Sequence, residues 1–223
     1  MAINLRSTSS VLSNGIKLLV YGESGSGKTY LVSTLENPVV LSVEAGLLSL
    51  HAHEIPFTEI KTIDDLREAY TWALEAKEAQ QFSTVVLDSI SEIAEVVLIS
   101  EKKKSKDPRA AYGEMQSTMS EMVRAFRDLP GRNVYMSAKV EKQQDDLGRL
   151  LYSASMPGVK AGQSLPYHFD EVFALRVERD SEGKPQRGLQ CHGDGLWMAK
   201  DRSGKLDDWE PADLGAVFKK IGG

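Results

Sequence analysis

The chain has 223 residues, 41% of them hydrophobic and 26% charged, with a formal net charge of -5. That length and apolar share are enough for one sizeable core, and no apolar run approaches the roughly 20 residues that cross a bilayer, so a cytoplasmic protein with no membrane partner is expected. The acidic balance excludes a surface that coats nucleic acid everywhere; a single cysteine, Cys191, excludes an internal disulfide, and its neighbour His192 lacks the further ligands of a zinc site.

Residues 1–14 are Ser/Thr-rich and carry no long apolar stretch, so they read as a flexible N-terminal segment rather than a secretory signal, ahead of a single domain over 15–223. From Ile16, IKLLVYG is a short apolar run ending in glycine, as expected of a buried parallel strand feeding a tight loop. The loop GESGSGKT follows, then a short helix over TYLVSTL that stops before Asn37-Pro38, then a strand PVVLSV ending at Glu44. Helical spacing of Ile63, Leu66, Ala69, Tyr70, Ala73 and Leu74 predicts a helix over 63–80, started by Thr62. TVVLD, 84–88, predicts a third buried strand with an acid at its carboxyl end, continued by an apolar helix over 90–100. The polar run EKKKSKDPR then reads as a loop.

A long amphipathic helix is predicted over 111–129, its Met115, Met119 and Met122 packing into the core, and Pro130-Gly131 ends it. NVYMS is a further strand, and QQDDLGRL a hairpin tip or mobile loop. Thereafter EVFALRV, GLQC and LWMAK read as strands joined by turns at SEGKP and HGDG, and 213–221 as a closing helix. The expected class is α/β, with a mostly parallel central sheet flanked by helices and an antiparallel, strand-rich C-terminal part.

Gly22-Glu23-Ser24-Gly25-Ser26-Gly27-Lys28-Thr29 matches G-x-x-x-x-G-K-[ST] at every constrained position. It stands between an apolar strand and a helix, the setting in which backbone N–H groups and a helix N-terminus converge on phosphates. The expected ligands are ATP and Mg²⁺: Lys28 reaches the β- and γ-phosphates, and the Thr29 hydroxyl ligands the metal. Asp88 has two readings, a second carboxylate for magnesium or an N-cap of the next helix. Glu44, at the end of the neighbouring strand, is a candidate to polarise the attacking water.

These residues resemble a known family. A P-loop, then VVLSVEAGLLSL, then TVVLDSI, is similar to the RecA-type core of recombinases, and the resemblance implies that Glu44 is the catalytic base. DPRAAYGEM, RDLPGRNVYMSAK and PGVKAGQSLPYHFDEVFALRV further resemble phage-encoded ATP-binding proteins with a minimal RecA core, among them single-strand annealing proteins of the Sak-four type. The resemblance implies a RecA-like P-loop NTPase in the bacterial host cytoplasm, a homo-oligomer, and a lysine sent into the neighbouring subunit's phosphate site, with Lys160 at the comparable place. The recombinase sensor, often Gln, is replaced here by Ser137 or Lys139.

The resemblance also places DNA-contacting loops after the third strand and the next one. Lys102, Lys103, Lys104, Lys106 and Arg109 lie within eight positions there, with Arg149 in the second loop, and are candidates to neutralise phosphates, while Tyr112 or Tyr152 is a candidate to stack a base. A solvated charged face is the bland alternative. The function these readings imply is an ATP-binding, hydrolysing protein that binds single-stranded DNA and promotes annealing and homologous recombination, with a single-stranded-DNA-binding protein or another replication protein as a further candidate partner. Two alternatives stay open: a nucleotide-switched module that loads or regulates a replication protein without touching DNA, and a small-molecule kinase.

Overall fold

A computed structural model of the chain describes Ser7, Leu12, residues 14–44 and residues 46–223. The expected flexible segment 1–14 lies almost wholly outside the described residues, and so does the side chain of Lys160. Ten strands are described: β1 (Lys17–Gly22), β2 (Pro38–Ser42), β3 (Phe57–Glu59), β4 (Thr84–Asp88), β5 (Asn133–Gln144), β6 (Leu150–Ala154), β7 (Glu171–Arg179), β8 (Pro185–Gln190), β9 (Lys200–Asp201) and β10 (Trp209–Pro211). The α-helices are α1 (Ile63–Glu75), α2 (Ile90–Lys104), α3 (Pro108–Arg127), α4 (Val159–Ser164) and α5 (Leu214–Gly222).

Six strands are parallel, in the order β3-β2-β4-β5-β1-β7, and β8 and β10 extend that sheet antiparallel beyond β7. This is the expected α/β, RecA-like arrangement. β1 is buried along its whole length, and its alternation serves two layers. Leu19 and Tyr21 face a core built with α1, α2 and α3; Leu18 and Val20 face a second core built with Leu31, Val32 and α5. The first core is anchored by Phe126, fully buried with its ring edge-on to Tyr70 at 5.3 Å. Truncating Phe126 to Ala removes that ring from a packed layer, and an expected loss of about 3–5 kcal/mol follows. Thermal denaturation of the variant reads it as a midpoint lowered by roughly 10 °C or more.

Several elements differ from the sequence expectation for physical reasons. The helix after the phosphate loop is a 3-10 turn, Tyr30–Thr34, not an α-helix. Few residues separate Thr29 from Pro38, yet they must run back along β1 to start a parallel strand, and a 3-10 turn rises about 2.0 Å per residue against 1.5 Å. The helix expected over 63–80 ends at Glu75; its start is held by a capping box in which Thr62 accepts from Asp65 N and Asp65 accepts from Thr62 N. β3 and β10, three residues each, were not expected. β3 is exposed throughout, so it carries no apolar alternation to read.

The stretch EKKKSKDPR is not a loop. α2 runs on to Lys104, and α3 begins at Pro108, capped by Asp107 through Arg109 N, so only 105–107 connect them. Lys102, Lys103 and Lys104 form the last turn of α2, where ammonium groups oppose the negative end of the helix dipole and lysine is a good helix former.

Candidate nucleotide-binding site

The phosphate loop, 22–29, leaves β1 at the carboxyl edge of the sheet. Gly22 has no room for a side chain: a Cβ there would stand 2.7 Å from the carbonyl oxygen of Leu175. Gly25 and Gly27 hold positive φ angles of 75° and 107°, which L-residues with side chains rarely adopt. The loop is closed on itself by Lys28, whose Nζ donates to the carbonyls of Gly22 and Glu23, both at 2.9 Å. Burial lowers the Lys28 pKa, and the charges of Asp88 and Glu44 act against that. Tyr135, on β5 and buried, props the loop from below by donating its hydroxyl to the Lys28 carbonyl at 2.8 Å.

The acids converge on the same place. Asp88, 2% exposed, ends β4; its Oδ2 accepts from Thr29 Oγ1 at 2.7 Å and its Oδ1 accepts from Ser137 Oγ. The N-cap reading for Asp88 is thereby replaced: the cap of α2 is Ser89, whose Oγ accepts from Glu92 N. Glu44 lies two residues beyond the end of β2, and its Oε1 accepts from Ser89 Oγ at 2.7 Å. Lys139 pairs with Glu92, which raises the lysine's pKa. Ser137 and Lys139, the two sensor candidates, come from β5, the strand inserted between β1 and β4.

A cleft of about 720 Å³ opens over these groups, lined by Gly22, Ser24, Gly25, Gly27, Lys28, Thr29, Glu44, Asp88 and Lys139, and also by Tyr30, Ser49 and Arg187. Glu23 turns its carboxylate outward to Lys142, at 2.8 Å, and Ser26 is buried with its hydroxyl unpartnered among the described residues. The cradle fits a nucleoside phosphate with magnesium: glycines open the backbone, an ammonium stands at the loop, and a hydroxyl and a carboxylate meet, a donor set that magnesium takes together with phosphate oxygens.

A family model described as an AAA domain matches residues 14–203. The chain belongs to the AAA-domain family. It is accordingly an ATP-binding P-loop protein of the AAA type, built for nucleotide hydrolysis. Among solved structures it is similar to a KaiC-like protein from the hyperthermophilic archaeon Pyrococcus horikoshii OT3, at 14% identity over 79% of this chain and 77% of that one, with a TM-score of 0.42. No curated protein sequence matches. In this AAA-domain chain no described helix is long and apolar enough to cross a membrane.

The candidate nucleic-acid residues divide. β5 pairs with β1 only as far as Gly22↔Lys139, then runs on to Gln144 and returns as β6, so 140–154 form a hairpin rising past the carboxyl edge. α3 ends six residues before Asn133, which pairs with the first residue of β4; its 20 residues span about 30 Å against about 16 Å for β4, so its start also lies beyond that edge. Lys102, Lys106 and Arg109 therefore share the edge with the hairpin. Arg149 is engaged within the hairpin turn by Asp145, at 2.7 Å. Tyr112 lies under Lys102, and Tyr152 stacks face to face on Trp197 at 4.1 Å, with Lys142 over its ring. Trp197 in turn carries Arg176.

Proposed function

We propose that this AAA-domain chain cleaves the bond between the β- and γ-phosphates of ATP and couples that cycle to single-stranded DNA held at the carboxyl edge, in the annealing and recombination of phage DNA. Thr29 and Asp88 would hold Mg²⁺, which when bound neutralises charge on the phosphates. Lys28 supplies a fixed positive charge beside the transferred group. Glu44 accepts a proton from the attacking water, oriented by the Ser89 hydroxyl that occupies one of its oxygens. In an oligomer, Lys160 is proposed to reach a neighbour's phosphates.

The observation that carries the DNA half is continuity. The strand that brings Ser137 and Lys139 to the cleft continues into the hairpin, and Lys142 at its root is bonded to Glu23 of the phosphate loop. A change in loop charge on nucleotide binding therefore acts on the hairpin directly. Cations on the same edge suit a phosphate backbone.

The test is ATP hydrolysis with and without single-stranded DNA, beside DNA affinity by fluorescence anisotropy at about 50 mM salt. DNA is expected to stimulate turnover, and joint replacement of Lys102, Lys103, Lys104 and Lys106 by Ala is expected to flatten the salt dependence of binding. Absence of affinity with both ATP and ADP would reject the DNA reading and leave a nucleotide-switched module acting on a replication protein.

A further inference from the structure

Arg187 lies on β8, 161 residues from the phosphate loop in sequence, yet its Nε donates to the Ser26 carbonyl at 2.9 Å. The same nitrogen stands 3.3 Å from where a Cβ on Gly27 would be, so the guanidinium packs against the bare backbone of the loop. Arg187 is exposed and lines the cleft, and its terminal N–H groups meet no acceptor among the described residues. A planar, permanently charged fork with one arm fixed and the other open beside a phosphate cradle is pre-organised for oxyanions.

Its position decides which oxyanions. The acids Asp88 and Glu44 stand at the ends of β4 and β2, on one side of β1; β8 lies on the other side, beyond β7. The γ-phosphate belongs with the acids and the proton acceptor, so the group nearest Arg187 is the diphosphate that remains after cleavage. We infer that Arg187 is a phosphate-binding residue supplied in cis, clamping the α- and β-phosphates of ATP and ADP from the edge of the sheet opposite the acids. This rests on the nucleotide reading of the phosphate loop.

A contact made equally with ATP, with the transition state and with ADP changes affinity more than chemistry. Arg187→Ala is therefore expected to weaken both fluorescent ATP and fluorescent ADP by about 10- to 100-fold, the range of a charged hydrogen bond, while turnover at saturating ATP changes less than threefold. Arg187→Gln keeps an N–H donor for the Ser26 carbonyl and removes the charge, so it is expected to bind as poorly as Arg187→Ala, with its own unliganded melting temperature unchanged.

Wild-type affinity in Arg187→Gln would reduce the residue to a prop for the loop and overturn the proposal. So would recovery of the wild-type rate at subsaturating ATP on mixing Arg187→Ala with Lys28→Ala chains, since that shows the arginine serving a neighbour. If the wild-type chain itself bound neither nucleotide, the reading of the phosphate loop would fail first, and an Arg187 defect could not be claimed.

Discussion

Lys28→Ala is expected to abolish hydrolysis, lowering turnover by about 10³-fold or more, and to remove the thermal stabilisation that ADP or ATP confers. Two separate roles stand behind that magnitude. The Lys28 Nζ bonds the carbonyls of Gly22 and Glu23, so it draws the loop into its curve. Burial of the ammonium lowers its pKa, and the charges of Asp88 and Glu44 act against that lowering, in a partly dry site. Phosphate oxygens are better partners than two carbonyls for such a charge, and removing one pre-organised donor at developing charge costs about 10²–10³ in rate on its own. Nucleotide at about 100 times its dissociation constant stabilises the wild-type chain by about 2.7 kcal/mol, which for a chain of this size raises the midpoint by roughly 5–10 °C. Differential scanning fluorimetry of wild type and variant, with and without ADP, checks the second role; the same shift in both would remove Lys28 from the phosphates.

How much of this was legible beforehand depends on how local the determinant is. The phosphate loop could be read because every constraint on it, a glycine where a Cβ would strike Leu175, glycines at positive φ, an ammonium and a hydroxyl in succession, falls within eight consecutive residues. Asp88 and Glu44 could be read because a buried parallel strand is a continuous apolar run, and its carboxyl end points at the loop. Tyr135 and Arg187 left no such mark. Tyr135 reads as one more aromatic in a strand, and only the register of β5 beside β1 brings its hydroxyl beneath Lys28. Arg187 sits in a short, mostly exposed strand, and its role depends on β7 and β8 being appended next to β1.

The lysine run shows the opposite failure, in which composition was clear and conformation was not. Charge and a following proline suggested a break after Ser100, but three lysines extend a helix readily and suit its C-terminal end, so the break waits for Asp107-Pro108. The consequence is functional. Lys102, Lys103 and Lys104 point in different directions around one helical turn rather than together into a groove, and Lys104 is already paired with Glu101 at 2.7 Å. Contacts from this element to a DNA backbone would therefore be shared unequally among them, with Lys104 contributing least.

Glu44→Gln is expected to lower turnover by about 10²–10⁴-fold while leaving nucleotide affinity within about threefold of wild type. The substitution is chosen because it separates charge from shape. The Ser89 hydroxyl donates to Glu44 Oε1 at 2.7 Å, and the amide oxygen of Gln accepts the same bond, so the side chain keeps its place at the cleft. What it loses is the ability to take a proton from water. Asp88 is committed elsewhere: one of its oxygens accepts from Thr29, with which it would hold Mg²⁺, and the other accepts from Ser137. Lys139 is no proton acceptor, being a cation whose pKa is raised by its pairing with Glu92. Glu44 is thus an acceptor in the cleft with one oxygen that no side chain among the described residues bonds, and a slow variant that still binds ATP tightly should trap the triphosphate state. Single-turnover hydrolysis with the bound nucleotide identified by chromatography checks this: ATP retained on Glu44→Gln supports the assignment. Turnover equal to wild type would require that the attacking water lose its proton elsewhere, to the γ-phosphate itself or to a group from a neighbouring chain, and Glu44 would then be left with only an electrostatic part beside Lys28.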